Sequence, residues 1–213
     1  MCADLAINRP GESLRRCIDN LSSSLGRSTP ANVPAAPFCE RALRKGLDGE
    51  EKVARRLSFL GDGWLSLHSI PVSASGTDID HLLIGPAGVF TLNTKNHHGQ
   101  KVWVAGNVFK VNGFDQDYVY CSRAESAKVT STLTRECGFE VNAEAVIVVL
   151  AEYCHVKEDP RDVNVVELEA LRFWLRRRPA LLAPAQVTAI FEVARDSRTW
   201  LSITETSGAK VSI

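Results

Sequence analysis

From Arg41 to Leu60 the apolar residues Leu43, Leu47, Val53, Ala54, Leu57 and Leu60 fall at helical spacing, with Gly46 and Gly49 placed to divide the stretch and Gly61-Asp-Gly63 to end it. The pattern then changes to short segments rich in β-branched and aromatic residues at 64–70, 78–84, 89–95, 101–105 and 108–111. Pro71, Gly85-Pro-Ala-Gly88, Asn96-His-His-Gly99 and Gly106-Asn107 separate them, so the spacing predicts a meander of antiparallel strands. Residues 122–137 return to a helical pattern closing at Gly138, and Ala145 to Ala151 is an apolar run that suits a buried strand after that crossover.

The two ends carry different patterns. A short helix is predicted over 13–25, followed by a segment, 26–37, whose prolines and small polar residues disfavour regular structure. Beyond Cys154 come a polar loop at 157–162, a short apolar stretch at 163–166, and helical patterns over 167–177 and 185–199, with the last seven residues a candidate for fraying. The expected organisation is an N-terminal extension and linker at 1–40, a core at 41–155 and a C-terminal helical appendage at 156–213.

Composition narrows the function classes. The 213 residues are 45% hydrophobic, enough for one substantial core. Lys plus Arg and Asp plus Glu number 25 each, so the chain has no global positive field for a polyanion and would need local contacts to hold one. The six cysteines, Cys2, Cys17, Cys39, Cys121, Cys137 and Cys154, form no CxxC pair and are expected to be reduced. The opening residues lack the basic and apolar regions of a secretory signal, and no apolar run reaches the roughly 18 residues of a membrane span, so the expected compartment is the cytoplasm.

The polar residues of the predicted hairpin carry the chemistry. Alternation puts Asp78, Asp80, Leu82 and Ile84 on one face of the first strand and Val89, Thr91, Asn93 and Lys95 on one face of the next. A four-residue loop, Gly85 to Gly88, would set Asp80 opposite Asn93 and Asp78 opposite Lys95, gathering four polar groups at the open end of an otherwise apolar hairpin. Carboxylate and carbonyl oxygens hold hard divalent cations, and a lysine can steady an attacking water or developing charge, which are the needs of phosphodiester hydrolysis. On the preceding helix Glu50 shares a face with Val53, Ala54 and Leu57 and so points at the sheet, whereas Glu51 points at water.

These residues carry a family resemblance. Gly49-Glu50 with Val53 and Leu57, then Gly76-Thr-Asp-Ile-Asp-His-Leu-Leu-Ile-Gly-Pro-Ala-Gly-Val-Phe90, then Thr94-Lys95-Asn96 and Gly99 resemble the nuclease-related domain, NERD, over roughly residues 46–151. That family is assigned to the PD-(D/E)xK superfamily. The resemblance implies a restriction-endonuclease-like α/β core, with a mixed, mainly antiparallel sheet flanked by helices and the C-terminal helices added. It also implies hydrolysis of DNA, with RNA as the alternative partner, assisted by Mg2+ or Mn2+. By position Asp80 is the motif aspartate, Lys95 the motif lysine and Glu50 the helix glutamate. Asn93 stands where the general motif has Glu or Asp and offers a neutral carbonyl in place of an anionic ligand.

Each candidate has a plainer alternative. Asp78, Asp80 and Lys95 could form a cross-strand ion-pair ladder, Glu50 could be a solvated first-turn acid, and His81, on the face of Ile79 and Leu83, is expected to be a buried histidine that fixes the hairpin. Arg123 is a candidate phosphate contact if its helix flanks the site, while Arg123, Glu125 and Lys128 together look like a solvated helix face. Trp103, Trp174 and Trp200 are expected to pack. A nucleic-acid-binding or regulatory module without turnover, and a protein-interaction domain, stand as rivals to a metal-dependent nuclease.

Overall fold

One long strand, β3 (Gly88–Ala105), organises the molecule. The computed structural model describes residues 3–25, 35–72 and 77–200, so residues 26–34 of the linker predicted over 26–37, Cys2, Gly76 and the C-terminal tail lie outside the described residues.

Ahead of β3, α1 (Glu12–Leu25) and α2 (Ala35–Leu57) lead into β1 (Leu65–Pro71) and β2 (Asp78–Gly85). After it come β4 (Val108–Val111), β5 (Phe114–Gln116), α3 (Tyr118–Cys137), β6 (Ala143–Glu158), β7 (Val163–Glu167), α4 (Leu168–Arg176) and α5 (Pro184–Arg195). The strands form one seven-stranded sheet with antiparallel ladders from β1 through β5. The parallel ladders are β3 with β6 and β6 with β7.

Several boundaries differ from the sequence expectation. The helix at 41–60 is undivided and begins at Ala35: Pro37 falls in the first turn, where no helical partner awaits its missing N–H. Gly46 and Gly49 allow close packing instead of breaking the helix, since a Cβ on Gly46 would stand 3.2 Å from Leu14. The hairpin turn has two residues, because Gly85 and Gly88 are themselves paired, and Gly88 adopts a φ of 128° that a side chain would strain. Asn96 to Gly99 is not a turn between two strands. Pairing with β6 carries β3 straight through it, with a register shift between His97 and Lys101. β6 in turn extends to Glu158, far past the apolar run that announced it.

β6 accompanies β3 along one edge for nearly its whole length. Along the other edge β2 pairs with residues 88–92 and β4 with 102–105. Between those two neighbours, β3 has no ladder partner on that edge among the described residues.

Helices cover both faces. Val53 and Leu57 of α2 and Leu171 and Leu175 of α4 pack on Leu83, Phe90, Leu92, Val146 and Val148. On the opposite face Val129 and Leu133 of α3 and Val187 and Ile190 of α5 pack on Leu82, Ile84 and Val89, and Trp200 closes that cluster. Farther along the sheet, Val119 of α3 meets Ala145, Ile147 and Val149. The run 145–149 is apolar at every position because β6 is a central parallel strand buried on both sides. The sheet and its core continue across residue 155, since β6 spans it and β7 and α4 extend the same layers. The five described cysteines are all free.

Candidate functional site

The site lies where β2 and β3 part. Their ladder ends at His81 opposite Leu92, and Asp78 stays paired with Pro71 of β1, so the expected pairings of Asp80 with Asn93 and Asp78 with Lys95 are not made. In place of a backbone pair, the Thr94 N–H donates to Asp80 Oδ2 at 2.6 Å. Beyond that point side chains from two helices enter, Glu50 from α2 and Glu125 from α3.

Glu50 enters from α2, buried at 7% exposure. Its helix comes close to β3 because residue 49 is glycine: a Cβ there would lie 3.0 Å from Asn96 Cβ and 3.1 Å from Thr94 Cγ2. Burial, reinforced by the charges of Asp80 and Asp78, pushes the Glu50 carboxyl far above the ordinary carboxylate range, while the Gly11 backbone N–H and Lys95 oppose the shift. Burial also raises Asp80, against the pull of Lys95 and the Thr94 N–H. Asp78 is raised by burial and steadied by the Ser13 hydroxyl.

The N-terminal extension contributes to this site through Gly11 and Ser13. Glu12 N–H donates to the Ser69 hydroxyl at 3.0 Å and Asn8 Nδ2 to the Ser69 carbonyl at 3.0 Å, which holds Gly11 and Ser13 over the carboxylates.

Lys95 places its ammonium 4.6 Å from the centre of the Tyr118 ring. That ring is held by Phe109, centroids 5.1 Å apart, and by His97 at 5.7 Å. The aromatic face fixes the cation without neutralising it, so its charge acts on Asp80, Glu50 and Glu125.

Glu125 is the residue that sequence reasoning missed. It lies on α3 within reach of Asn93, whose Nδ2 donates to Glu125 Oε2 at 3.5 Å. Burial, then the Asp80 charge, pushes its carboxyl up to about 8. The available signal was its spacing, three residues after Ser122 and four before Val129, both buried, which puts it on the inward stripe of the helix.

Arg123 behaves otherwise than the phosphate contact considered for it. It turns away from the cluster to Asp162, with Nη2 to Oδ1 at 2.6 Å, and to Asn107 at 2.8 Å. It lines a separate cavity of about 590 Å³ together with Arg178, itself matched by Glu144 at 2.5 Å. Arg123 and Arg178 already have carboxylate partners there, whereas the raised acids gather around Asp80.

His81 is buried as expected, and its Nδ1 meets Nδ1 of His68 at 2.8 Å, one ring donating and the other accepting. Burial depresses both, His68 to about 4. Trp200 is packed, whereas Trp103 stands 36% exposed.

In the notch Glu50 Oε2, Asn93 Oδ1 and Glu125 Oε1 are buried and without a hydrogen-bond partner among the described residues. An all-oxygen donor set of this kind fits a hard divalent cation, which is commonly held through only one or two carboxylates with water and substrate completing the shell. As they stand, no three His, Cys, Asp or Glu side chains among the described residues are arranged to hold a metal ion unaided.

A helix-flanked mixed sheet with acids and one lysine gathered where its central strands part defines a restriction-endonuclease-like protein of nuclease-related type. The family model of the nuclease-related domain matches residues 45–150, and through that segment the chain belongs to the nuclease-related domain family. Comparison with curated proteins and with solved structures finds no match. No helix among the described residues is long and apolar enough to cross a membrane.

Proposed function

We propose that the chain hydrolyses phosphodiester bonds of DNA with the help of Mg2+ or Mn2+. The observation that carries this reading is the set of partnerless buried oxygens beside Asp80 and Lys95. Asp80, Glu50 and the Asn93 carbonyl would hold the ion. When bound, such an ion lowers the pKa of a coordinated water and neutralises charge on the scissile phosphate.

The chain's own residues supply the rest. Lys95 donates hydrogen bonds to the attacking water or to a non-bridging phosphate oxygen, and the Tyr118 ring limits how far the ammonium can wander. Water adds to phosphorus, the P–O bond to the leaving oxygen breaks, and that oxygen takes up a proton. The attacking water gives up a proton to solvent as its oxygen bonds to phosphorus, which balances the proton taken up by the leaving oxygen, and the carboxylates that would hold the ion stay ionised throughout.

A second reading, a nucleic-acid-binding module of the same fold without turnover, is favoured by the neutral Asn93, which offers a carbonyl where the general motif has an anionic ligand. Cleavage of supercoiled, linear and single-stranded DNA by the purified chain, with each metal and with chelator, separates them. Metal-dependent cutting that Lys95→Ala abolishes supports hydrolysis. Retention of DNA in chelator, with no cutting by the wild type where a control nuclease cuts, supports the binding module.

A further inference from the structure

We infer that Glu125 supplies the anionic metal ligand that position 93 lacks, the acid having moved from β3 to α3 and left its amide counterpart behind. The inference rests on the metal-dependent reading above. The Asn93 side chain occupies the strand position from which a carboxylate would point into the notch, and it donates its Nδ2 hydrogen to Glu125 Oε2 at 3.5 Å. Glu125 thereby stands one side chain farther from the sheet, with its second oxygen, Oε1, buried and unpartnered, as is Asn93 Oδ1. Two acceptors left open on adjacent residues, facing the electrostatic reach of Asp80 and Lys95, are what a cation would complete.

The plainer account, in which Glu125 is a structural acid, leaves its geometry without a cause. A structural acid would be expected to meet a cation or several N–H donors, as Glu144 meets Arg178 at 2.5 Å. Glu125 instead has one long amide contact and an open oxygen. Its inward position on α3, between Ser122 and Val129, is also one that a Gln or an apolar residue could fill at less electrostatic cost.

The relation can be exchanged. In the swap Asn93→Glu with Glu125→Gln, the carboxylate returns to β3 and the amide moves to α3, and the same hydrogen bond forms with donor and acceptor reversed. Mn2+ affinity is measured by titration calorimetry on the whole chain at pH 8.5 without nucleic acid, with thermal melting as the check on folding. Glu125→Gln is expected to fold and to bind Mn2+ at least about tenfold more weakly than wild type. The swap is expected to recover most of that loss. Asn93→Glu alone, which sets two carboxylates against each other, is expected to melt lower than wild type when no metal is present.

Wild-type Mn2+ affinity in Glu125→Gln, a folded swap that binds no better than Glu125→Gln, or a wild type that binds no Mn2+ would overturn the inference. DNA cleavage is scored separately on the same samples. Affinity that follows Glu125 in a chain that cuts nothing leaves the ligand assignment standing and removes only the hydrolytic reading.

Discussion

Thr94 gives its backbone N–H to a carboxylate oxygen of Asp80 at 2.6 Å just past the last β2–β3 pair, His81 with Leu92. One side chain thus takes the place of a strand neighbour for that amide while remaining an acid of the candidate site. The two duties are separable by substitution. Asp80→Asn keeps an oxygen for Thr94 and removes the buried charge, so it is expected to melt at or above wild type while losing DNA cleavage. Asp80→Ala orphans the amide and is expected to cost about 1–3 kcal/mol in addition to the activity. Thermal melting and a cleavage assay on both variants check this, and equal stability of the two would show that the Thr94 contact does not matter.

Lys95 faces several carboxylates and is held by an aromatic face with no acid of its own. Lys95→Ala is expected to reduce cleavage by about 10²–10³, the scale of removing one preorganised group that meets developing charge. The variant should also be less stable at pH 8 than wild type and closer to it at pH 5, where the acids hold protons. Melting curves at the two pH values test the second half independently of any catalysis.

The pH dependence of stability follows from Glu125 with its sign fixed. Its carboxyl is raised from the ordinary Glu value to about 8, so the folded chain binds a proton more tightly than the unfolded chain does. Stability associated with this group is therefore full below the unfolded pKa and is lost as pH rises through about 8. Glu125→Gln escapes that loss. It is expected to melt like wild type at pH 5 and higher at pH 8.5, by roughly 2–4 °C for each kcal/mol relieved. Differential scanning calorimetry in metal-free buffer measures it, and a variant that melts lower at pH 8.5 contradicts the sign. The same raised carboxyls must release protons to hold a cation, so Mn2+ affinity should climb as pH goes from 6 to 8.5.

How much of this was visible in the sequence differs by element. The hairpin register, the inward aim of Glu50 and the buried His81 came from alternation and helical spacing, which local geometry enforces. The parting of β2 and β3 did not, because the alternation of residues 78–80 is the same whether they pair with one neighbouring strand or with two, and here only β1 pairs with Asp78 and Ile79. The run through Asn96 to Gly99 looks like a turn by composition, yet a parallel partner far away in sequence, Leu150 for Asn96 and Ala151 for His97, carries the strand through it. Glu125 was assigned to a solvated face along with Arg123 and Lys128. Those three do not share one environment, since Arg123 bonds Asp162 at the surface while Glu125 turns inward. Gly11 and Ser13 reach the site from another element and carry no local signature of it.

Arg123 offers a control. Its ion pair with Asp162 is largely exposed, and such pairs contribute about 0–1 kcal/mol. Arg123→Ala is expected to leave the melting temperature nearly unchanged and metal-dependent cleavage within about twofold of wild type, because the side chain touches none of the notch oxygens. A large loss of DNA affinity, measured by fluorescence anisotropy across a salt series, would return Arg123 to the substrate path.

Gly49 sets how closely α2 approaches β3. A methyl at that position would press on Asn96 Cβ at 3.0 Å and Thr94 Cγ2 at 3.1 Å, both parts of the strand that carries Lys95. Those are short side chains on a strand held by ladder pairs to β6, so the few tenths of an ångström required are expected to come from the helix. Gly49→Ala is expected to cost about 1–3 kcal/mol, despite the better helix propensity of alanine, which alone would favour it by about 1 kcal/mol. Because the displacement carries Glu50 with it, cleavage should fall more than the stability loss implies when both are measured well below the melting temperature. Gly46→Ala, whose methyl would meet only Leu14 at 3.2 Å, is the matched comparison: it should perturb the packing of α1 on α2 while leaving cleavage close to wild type. If the two substitutions reduce cleavage equally, the approach of α2 at residue 49 is not what places Glu50.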